Sequence, residues 1–405
     1  MSGQDVSRRR FLQGIGLAGA AAGFPGLLSA CAGGQGGGSG SEALKIGLLV
    51  PLSGTYAPLG QDMQKGFRLY LDQHGGRLGG RQVELISAES EATPEVGLRA
   101  ARRLVEEDRV EVVTGIVSSA VAYGVKDYFA GADIPLIFSN AGANEVNLDP
   151  TLPNIFRTSF TNRQPNFALG RWAAREYGGE SFVCIAPDYA AGQEHIQGFV
   201  DGFGGSIAGK VYPPFGTTTD YQPFLSEVRQ SGASAVMAFF AGGEAITFVQ
   251  QYADFGLKDQ MPLIGPGFLT DDGILAAQGQ AALGMRTALH YSPLLEGQRN
   301  QEFASAYQKK FKVAATTYVM QSYDAAQLID LALTDSEVEP GDADGFVTAL
   351  EKVGKIPSPR GDFSLTPDTH DPVQPVYLRE VQQVNGTLAN AVIEDLGDFE
   401  PLPSA

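Results

Sequence analysis

Small polar residues follow two apolar runs in the first half of the chain, where strands are expected to end. Ser118 and Ser119 follow one run, and Asn140, Ala141 and Gly142 follow the next. Hydroxyl, amide and backbone N–H groups at such positions can bind a small anion, and the same residue types also cap helices and form turns. A cap and a ligand contact are compatible roles, so these five residues are candidates for ligand binding.

Aromatic and small residues occupy the corresponding places in the second half of the chain. Tyr189, Phe240, Ala241, Gly267 and Phe268 each lie in a loop that follows an apolar run. Aromatic side chains in such loops can line an apolar ligand slot. A phenylalanine after a strand can equally be packed in the core, so both interpretations stay open.

An alternation of apolar runs with segments of helical period predicts the elements that position these loops. Runs rich in Val, Ile and Leu lie at 44–50, 82–87, 110–117 and 134–138, and apolar residues at helical spacing lie between them. This pattern is typical of βαβ units, which form a parallel sheet covered by helices on both faces. Ligands of such sheets bind beyond the carboxyl ends of the strands, beside helix N-termini that favour anions.

A second α/β series follows, and the chain ends in a different pattern. Helical and strand-like segments alternate from 165 to 291, among them a strand at 210–213 and a short helix near 271–278, and residues 298–353 are mostly helical in pattern. Two strand-like runs follow, at 376–381 and 388–393. Asn385-Gly386 between them is a turn signal, so the sequence predicts a terminal hairpin.

The composition excludes several classes of protein. The chain has 405 residues, enough for two or three domains, and its 29 Lys and Arg against 46 Asp and Glu give a formal charge of -17. That charge repels nucleic-acid phosphates, so no nucleic-acid partner is expected. Hydrophobic residues make up 43% of the chain, which excludes disorder throughout. The two cysteines, Cys31 and Cys184, cannot build a zinc framework.

Motifs of catalysis and cofactor binding find little support. The four histidines show no HxxxH or HExxH spacing, and the chain has no GxSxG motif. Glycine patterns at 14–19 and 204–210 match nucleotide-binding loops in spacing, but no strand precedes the first, and Val211 replaces the magnesium-binding residue after the second. Adjacent carboxylates, as at Asp271 and Asp272, are most often solvated faces. The sequence therefore predicts a protein that is not an enzyme, with no catalytic residue, metal or cofactor.

The N-terminus has the features of an export signal. A twin-arginine pair precedes a weakly apolar stretch rich in Ala and Gly, and Cys31 follows Leu-Ser-Ala in a pattern that resembles a bacterial lipobox. We therefore expect a twin-arginine lipoprotein signal peptide at 1–30, lipidation of Cys31, and a flexible Gly/Ser tether at 31–43. Without residues 1–30 the formal charge becomes -19, and Cys184 is expected to be a buried, inert thiol.

Three segments carry a resemblance that covers nearly all of the mature chain, namely 46–54 (IGLLVPLSG), 75–80 (GGRLGG) and 323–326 (YDAA). They resemble the type I periplasmic solute-binding proteins of branched-chain amino acid ABC importers. The resemblance implies an α/β fold of two lobes, each a mostly parallel sheet flanked by helices, joined by three crossovers and closing on a ligand. The lobes it implies are 44–161 plus 292–362 for the first, and 162–291 plus 363–405 for the second.

The resemblance also implies roles for residues in the loops. The family's contacts fall on Ser119 for the ligand carboxylate, on Asn140 and Gly142 for backbone contacts, and on or beside Tyr189, Phe240, Ala241 and Gly267 in the second lobe. Amino-acid binders of the family place a glutamate at the position of Gly267, where it pairs with the ligand ammonium. A buried ammonium without that carboxylate is costly, which disfavours an amino-acid ligand.

Four further segments look like a branch of this family that is associated with uptake of aromatic acids. They are 154–160 (NIFRTSF), 189–192 (YAAG), 265–271 (GPGFLTD) and 358–361 (SPRG). On this basis Ser119 and helix N-termini are expected to hold a small carboxylate, and Tyr56, Tyr189, Phe240 and Phe268 are expected to line an apolar slot.

These inferences lead to one functional hypothesis and two alternatives. We hypothesise a monomeric, lipid-anchored solute-binding protein of the periplasm or cell surface, which delivers an aromatic acid to the permease and ATPase subunits of an ABC importer. One alternative ligand is a branched-chain amino acid. The other alternative is a sensor that reports the ligand to a membrane partner without transport.

Overall fold

The computed structural model describes residues 43–149 and 152–401, which form two sheets flanked by helices. The predicted signal peptide, the predicted lipidation site at Cys31 and nearly all of the predicted tether lie outside the described residues. None of the helices in the described part combines the length and the apolar character that a membrane span requires.

Six strands form the first sheet. They are β1 Leu44–Val50, β2 Arg77–Leu78, β3 Arg81–Glu89, β4 Val112–Gly115, β5 Leu136–Phe138 and β6 Ile155–Arg157. The helices α1 Ala57–Gln73, α2 Pro94–Arg102 and α3 Ser119–Ala130 connect them, and α2 continues into a π-helical turn, Arg103–Glu107. The spatial order is β2-β3-β1-β4-β5-β6, with parallel pairing except between β2 and β3. The predicted βαβ arrangement is therefore present, with the loops after β4 and β5 at one edge.

Eight strands form the second sheet. They are β7 Ser181–Ile185, β8 Ser206–Val211, β9 Ala235–Ala238, β10 Leu263–Pro266, β11 Arg286–Leu289, β12 Ser364–Leu365, β13 Pro372–Val384 and β14 Thr387–Phe399. The flanking helices are α4 Arg163–Glu176, α5 Ala190–Phe203, α6 Gln222–Gln230, α7 Gly242–Asp254 and α8 Leu275–Gln278. The order is β12-β13-β11-β10-β9-β7-β8, and β14 pairs with β13. The strands from β7 to β11 pair in parallel, and the C-terminal strands add antiparallel pairs.

Three helices late in the chain return to the first sheet. They are α9 Gln298–Phe311, α10 Thr317–Thr334 and α11 Ala343–Glu351. Leu328 and Ile329 of α10 share a buried cluster with Leu44 and Ile46 of β1. A Cβ atom on Gly66 of α1 would lie 2.1 Å from the carbonyl oxygen of Val319, so α1 and α10 can approach this closely only with glycine there.

The described chain passes between the sheets at three places: after β6, after β11, and between α11 and β12. Buried Arg360 lies on the third of these passages and bonds both to α10 and to the first passage. Its guanidinium pairs with Asp324, at 2.6 Å from Nη2 to Oδ2, and donates to the carbonyl oxygens of Thr158 and Ser159. The two-lobed α/β fold class is confirmed, and the residue boundaries of the lobes stay a prediction.

The structure differs from the sequence pattern in the segment after β10. The pattern predicts a helix near 271–278, whereas α8 covers only the end of that range. A 3₁₀ turn, Gly267–Thr270, comes first. The Asp271 carboxylate then accepts the N–H of Gly273 at 3.0 Å, a local bond that competes with helix formation.

Smaller differences and agreements occur elsewhere. The strand predicted at 210–213 is β8, which begins earlier because it pairs with β7 from Ser181 onward. Thr93 is the N-cap residue of α2, and its side chain makes no capping hydrogen bond. The terminal hairpin is confirmed, and Asn385 and Gly386 take φ values of 50° and 84°, which the tight turn requires. Cys184 is buried, as predicted.

Candidate functional site

A cavity lies beyond the carboxyl ends of strands from both sheets. About 320 Å³ of empty space, part of it open to solvent, lies between its lining residues. Elements of both sheets contribute to its wall, together with the starts of α1 and α10. The lining residues are Tyr56, Val117, Ser119, Asn140, Gly142, Phe160, Asn162, Tyr189, Ala191, His195, Phe239, Ala241, Phe268 and Tyr318.

Three helices begin at this cavity, namely α3, α5 and α7. Ser119 is the first residue of α3, and Tyr189 and Ala241 are the N-caps of α5 and α7. In these three described helices no N-cap side chain bonds the first turn, so the first backbone N–H groups have no intrahelical or capping acceptor. Each helix start also carries a partial positive charge of about half a unit. The three starts together favour a bound anion.

The cavity wall has no formal charge. Among its described residues there is no Lys, Arg, Asp or Glu. His195 is buried, and desolvation lowers its pKa well below the usual value, so the imidazole is neutral. A ligand in this cavity would therefore be held by hydrogen bonds, helix dipoles and apolar contact.

The tautomer of His195 follows from its neighbour Asn166. The Asn166 amide nitrogen contacts Nδ1 of His195 and also donates to the carbonyl oxygen of Asn162 at 2.7 Å. An amide nitrogen only donates, so Nδ1 accepts and the imidazole proton lies on Nε2. The described part of the chain gives Nε2 no acceptor. His195 therefore has a free N–H donor in the cavity wall.

Ser119 is held by a polar network. Asn162 donates through Nδ2 to Ser119 Oγ at 3.0 Å and to Glu194 Oε2 at 2.7 Å. Glu194 also accepts from the Tyr123 hydroxyl at 2.5 Å and from the Asn144 N–H at 3.1 Å. Burial raises the pKa of the Glu194 carboxyl, and these donors oppose that effect. The network runs from Ser119 in the cavity wall to a buried acidic group behind it.

Aromatic side chains form much of the remaining wall. The hydroxyl oxygens of Tyr56 and Tyr189 lie 3.2 Å apart, and the Tyr189 ring stacks on Phe215 with centroids 4.2 Å apart. Burial raises the pKa of both tyrosines, so their hydroxyls stay protonated. Phe160 and Phe268 pack against each other at 4.8 Å between centroids. These rings offer an apolar surface to a ligand, with two hydroxyls that can still donate or accept.

The structure corrects the predicted placement of Phe240. Its ring packs away from the cavity, against Tyr221 and Phe248 at 5.2 and 4.3 Å between centroids. Phe239 lines the cavity instead and stacks on His195 at 3.7 Å. Adjacent residues of an extended chain point to opposite faces, so one of the two phenylalanines faces the cavity and its neighbour faces the core. The expectation that Phe240 lines the slot is therefore wrong.

Gly267 does not line the cavity either, because a buried arginine fills the space beside it. Arg379 Nη2 donates to the Gly267 carbonyl oxygen at 2.9 Å. A Cβ atom on Gly267 would lie 2.1 Å from Nη2 and 2.6 Å from the Cβ atom of Leu289. A glutamate could not be placed here without moving Arg379, which is fully buried.

The structure brings most of the predicted loop residues together. Tyr56, Ser119, Asn140, Gly142, Tyr189, Ala241 and Phe268 all line the cavity. Ser118 and Ala141 are buried beside lining residues without lining the cavity themselves. Their predicted ligand contacts, like those of the lining residues, stay predictions.

Several lining residues lie outside the set that the sequence predicts. Phe160 and Asn162 lie just after β6, in a loop comparable to those that were considered, so the same rule could have found them. His195 lies in α5, shortly after the Tyr189 loop. Tyr318 lies at the start of α10, and the sequence offers no signal that this helix begins beside loops so distant in the chain.

Comparison with known proteins places this architecture in a family. The family model described as "Periplasmic binding protein" matches residues 43–387. An ABC transporter substrate-binding protein from Sphaerobacter thermophilus has 36% identity and a TM-score of 0.83, with 89% of this chain and all of that chain covered. A solute-binding protein of an ABC transporter from R. palustris, solved with benzoate, has 34% identity and a TM-score of 0.80, with 88% and 97% covered. Leu/Ile/Val-binding protein homolog 6 of Brucella melitensis is 28% identical over 363 residues, with 87% and 92% covered.

The chain belongs to the periplasmic binding protein family. It is a solute-binding protein of the ABC transporter type, in the branched-chain amino acid group of that family, as the sequence predicted. Members of this family bind small molecules and work with the permease and ATPase subunits of importers, and the family is periplasmic.

Proposed function

We propose that this protein binds an aromatic monocarboxylate in the cavity and delivers it to the membrane subunits of an ABC importer. The observation that carries the proposal is the meeting of three uncapped helix starts at an uncharged, aromatic cavity. The helix starts and the Ser119 hydroxyl would hold the carboxylate. The aromatic wall would contact the ring of the ligand.

The charge of the wall also supports an acid over an amino acid. An amino acid carries an ammonium group, and the described cavity wall offers it no carboxylate. At Gly267, Arg379 occupies the space that an acidic side chain would need. A buried, unpaired ammonium costs several kcal/mol, on the order of the whole affinity of a weak ligand.

The likeness to the benzoate-bound solute-binding protein points in the same direction, because it extends over nearly the whole of both chains. We further propose that the protein is exported by the twin-arginine route and anchored through a lipid on Cys31, as the N-terminal sequence suggests. Closure of the two lobes around the ligand would then be a hinge motion that the ligand stabilises.

Calorimetry with the purified mature protein tests the proposal. Benzoate should bind tightly, and leucine should give no heat of binding, because leucine brings an unpaired ammonium. The Ser119→Ala variant should bind benzoate about tenfold more weakly, the effect of losing one hydrogen bond to a charged group. Tight binding of leucine without any response to benzoate, cinnamate or hydroxybenzoates would refute the ligand class.

A further inference from the structure

We propose that Asn162 and Glu194 are positioning residues that turn the Ser119 hydroxyl into a hydrogen-bond donor for the ligand. Asn162 holds the Ser119 oxygen, and Glu194 holds Asn162 in the orientation that this requires. The inference rests on the proposed carboxylate ligand, and it adds two residues whose side chains set the polarity of the site.

The orientation of the Asn162 amide is fixed by its partners. Its nitrogen lies 2.7 Å from a Glu194 oxygen and 3.0 Å from Ser119 Oγ. A carboxylate accepts hydrogen bonds, so the amide must present its NH₂ group to Glu194. The opposite orientation would place two oxygens in contact. Both amide hydrogens are then used, one on Glu194 and one on Ser119.

This orientation determines what Ser119 can do. Its oxygen accepts from Asn162, and its own O–H hydrogen is left to be donated. Ser119 lines the cavity at the first position of α3, where the free backbone N–H groups also donate. All of these groups therefore offer hydrogen, which favours a ligand group that only accepts, as an ionised carboxylate does.

Glu194 also connects the two lobes. It lies on α5, which flanks the second sheet, and it accepts from Tyr123 of α3 and from Asn144, which lies between β5 and β6 of the first sheet. Asn162 lies between them, on the passage that follows β6. The hydrogen bonds that orient Ser119 are therefore all formed only when α3 and α5 lie as close together as they do here.

The contacts from Glu194 through Asn162 to Ser119 form a relay. A double-mutant cycle with benzoate as the ligand tests this relay. The variants are Ser119→Ala, Asn162→Ala and the double variant, with affinities from calorimetry. The Asn162 side chain does not cap α4, so its truncation leaves the helix start intact. We expect Asn162→Ala to weaken binding about tenfold alone, and less than about twofold in the Ser119→Ala background.

Tyr123→Phe is the matched control, because it removes a hydrogen bond to Glu194 without touching Asn162 or Ser119. Because the Asn162–Glu194 hydrogen bond remains in this variant, its affinity for benzoate should stay within about twofold of that of its parent, both with and without the Ser119 hydroxyl. Thermal unfolding shows whether each variant folds. If Asn162→Ala does not fold, Glu194→Gln and Glu194→Ala replace it. The glutamine can still accept from Asn162, so it should keep affinity within about threefold of the wild type, while the alanine should not.

The outcomes separate the two proposals. If the wild type binds benzoate and the effects of Asn162→Ala and Ser119→Ala simply multiply, the relay is wrong and the proposed function stands. Equal losses for Glu194→Gln and Glu194→Ala would also overturn the relay. If the wild type binds no aromatic carboxylate, the proposed function is wrong and the relay falls with it.

Discussion

Glu244 is a buried acid whose protonation should make the stability of the folded protein depend on pH. It is the third residue of α7 and 5% exposed. Its Oε1 accepts the Gly216 N–H at 2.9 Å, and its Oε2 has no partner in the described structure. Burial raises the pKa of this carboxyl from 4.5 to about 7. The folded state therefore binds a proton more tightly at Glu244 than the unfolded state does.

The sign of the effect follows from this difference. The stabilisation is fully present below pH 4.5, where both states are protonated, and it is lost as the pH rises through about 7. The shift corresponds to about 3 kcal/mol. Glu244→Gln is neutral at every pH and keeps the shape of the side chain. The free energy of unfolding of the variant minus that of the wild type should therefore increase by up to about 3 kcal/mol between pH 4.5 and pH 8.

Urea unfolding of both proteins at several pH values measures this gain. Glu227→Gln, which changes an exposed glutamate on α6, is the control and should follow the wild type throughout. A constant difference between Glu244→Gln and the wild type across the pH range would refute the reasoning.

Three further predictions concern buried contacts. Gly267→Ala should lower the free energy of unfolding by about 1–3 kcal/mol, because its Cβ atom would overlap Arg379; an unchanged urea midpoint would contradict this. Asp324→Asn should cost about 3–5 kcal/mol in the same assay, because Arg360 would remain buried without its partner, and a loss below 1 kcal/mol would count against the pair. Cys184 should resist a thiol reagent at pH 8 until the protein unfolds, because burial raises its pKa to about 12; rapid labelling of the native protein would show that the thiol is accessible.

The sequence predicted the parts of the fold that local patterns encode. Alternating apolar runs and helix-period segments identified most of the strands and helices of both sheets, and Asn385-Gly386 identified the hairpin turn. The rule that ligands bind beyond the carboxyl ends of parallel strands then selected Ser119, Asn140 and Tyr189, all of which line the cavity. Each of these inferences needs only neighbouring residues and the general geometry of α/β sheets.

The remaining features depend on contacts between distant parts of the chain. Arg379 fills the space beside Gly267 from 112 positions away. Glu194 orients Asn162 from 32 positions away. The sequence predicted Phe240 in the cavity wall, where the structure has Phe239, and this error has a different cause. The strand pattern does not fix which of two adjacent aromatic residues faces the core once the strand has ended. Such features appear only when the packing is known.

The net charge of the chain and the charge of its site now have separate explanations. A protein with a formal charge of -17 repels anions at a distance, yet the wall of its cavity carries no formal charge, and the Ser119 hydroxyl and three helix starts in that wall offer hydrogen-bond donors. Three helix starts of about half a positive charge each outweigh a single carboxylate locally without placing a full cation in the wall. A buried cation would need its own partner whenever the site is empty. Helix starts can instead bond to water in the empty site, so a carrier built this way can release its ligand without leaving a charge buried.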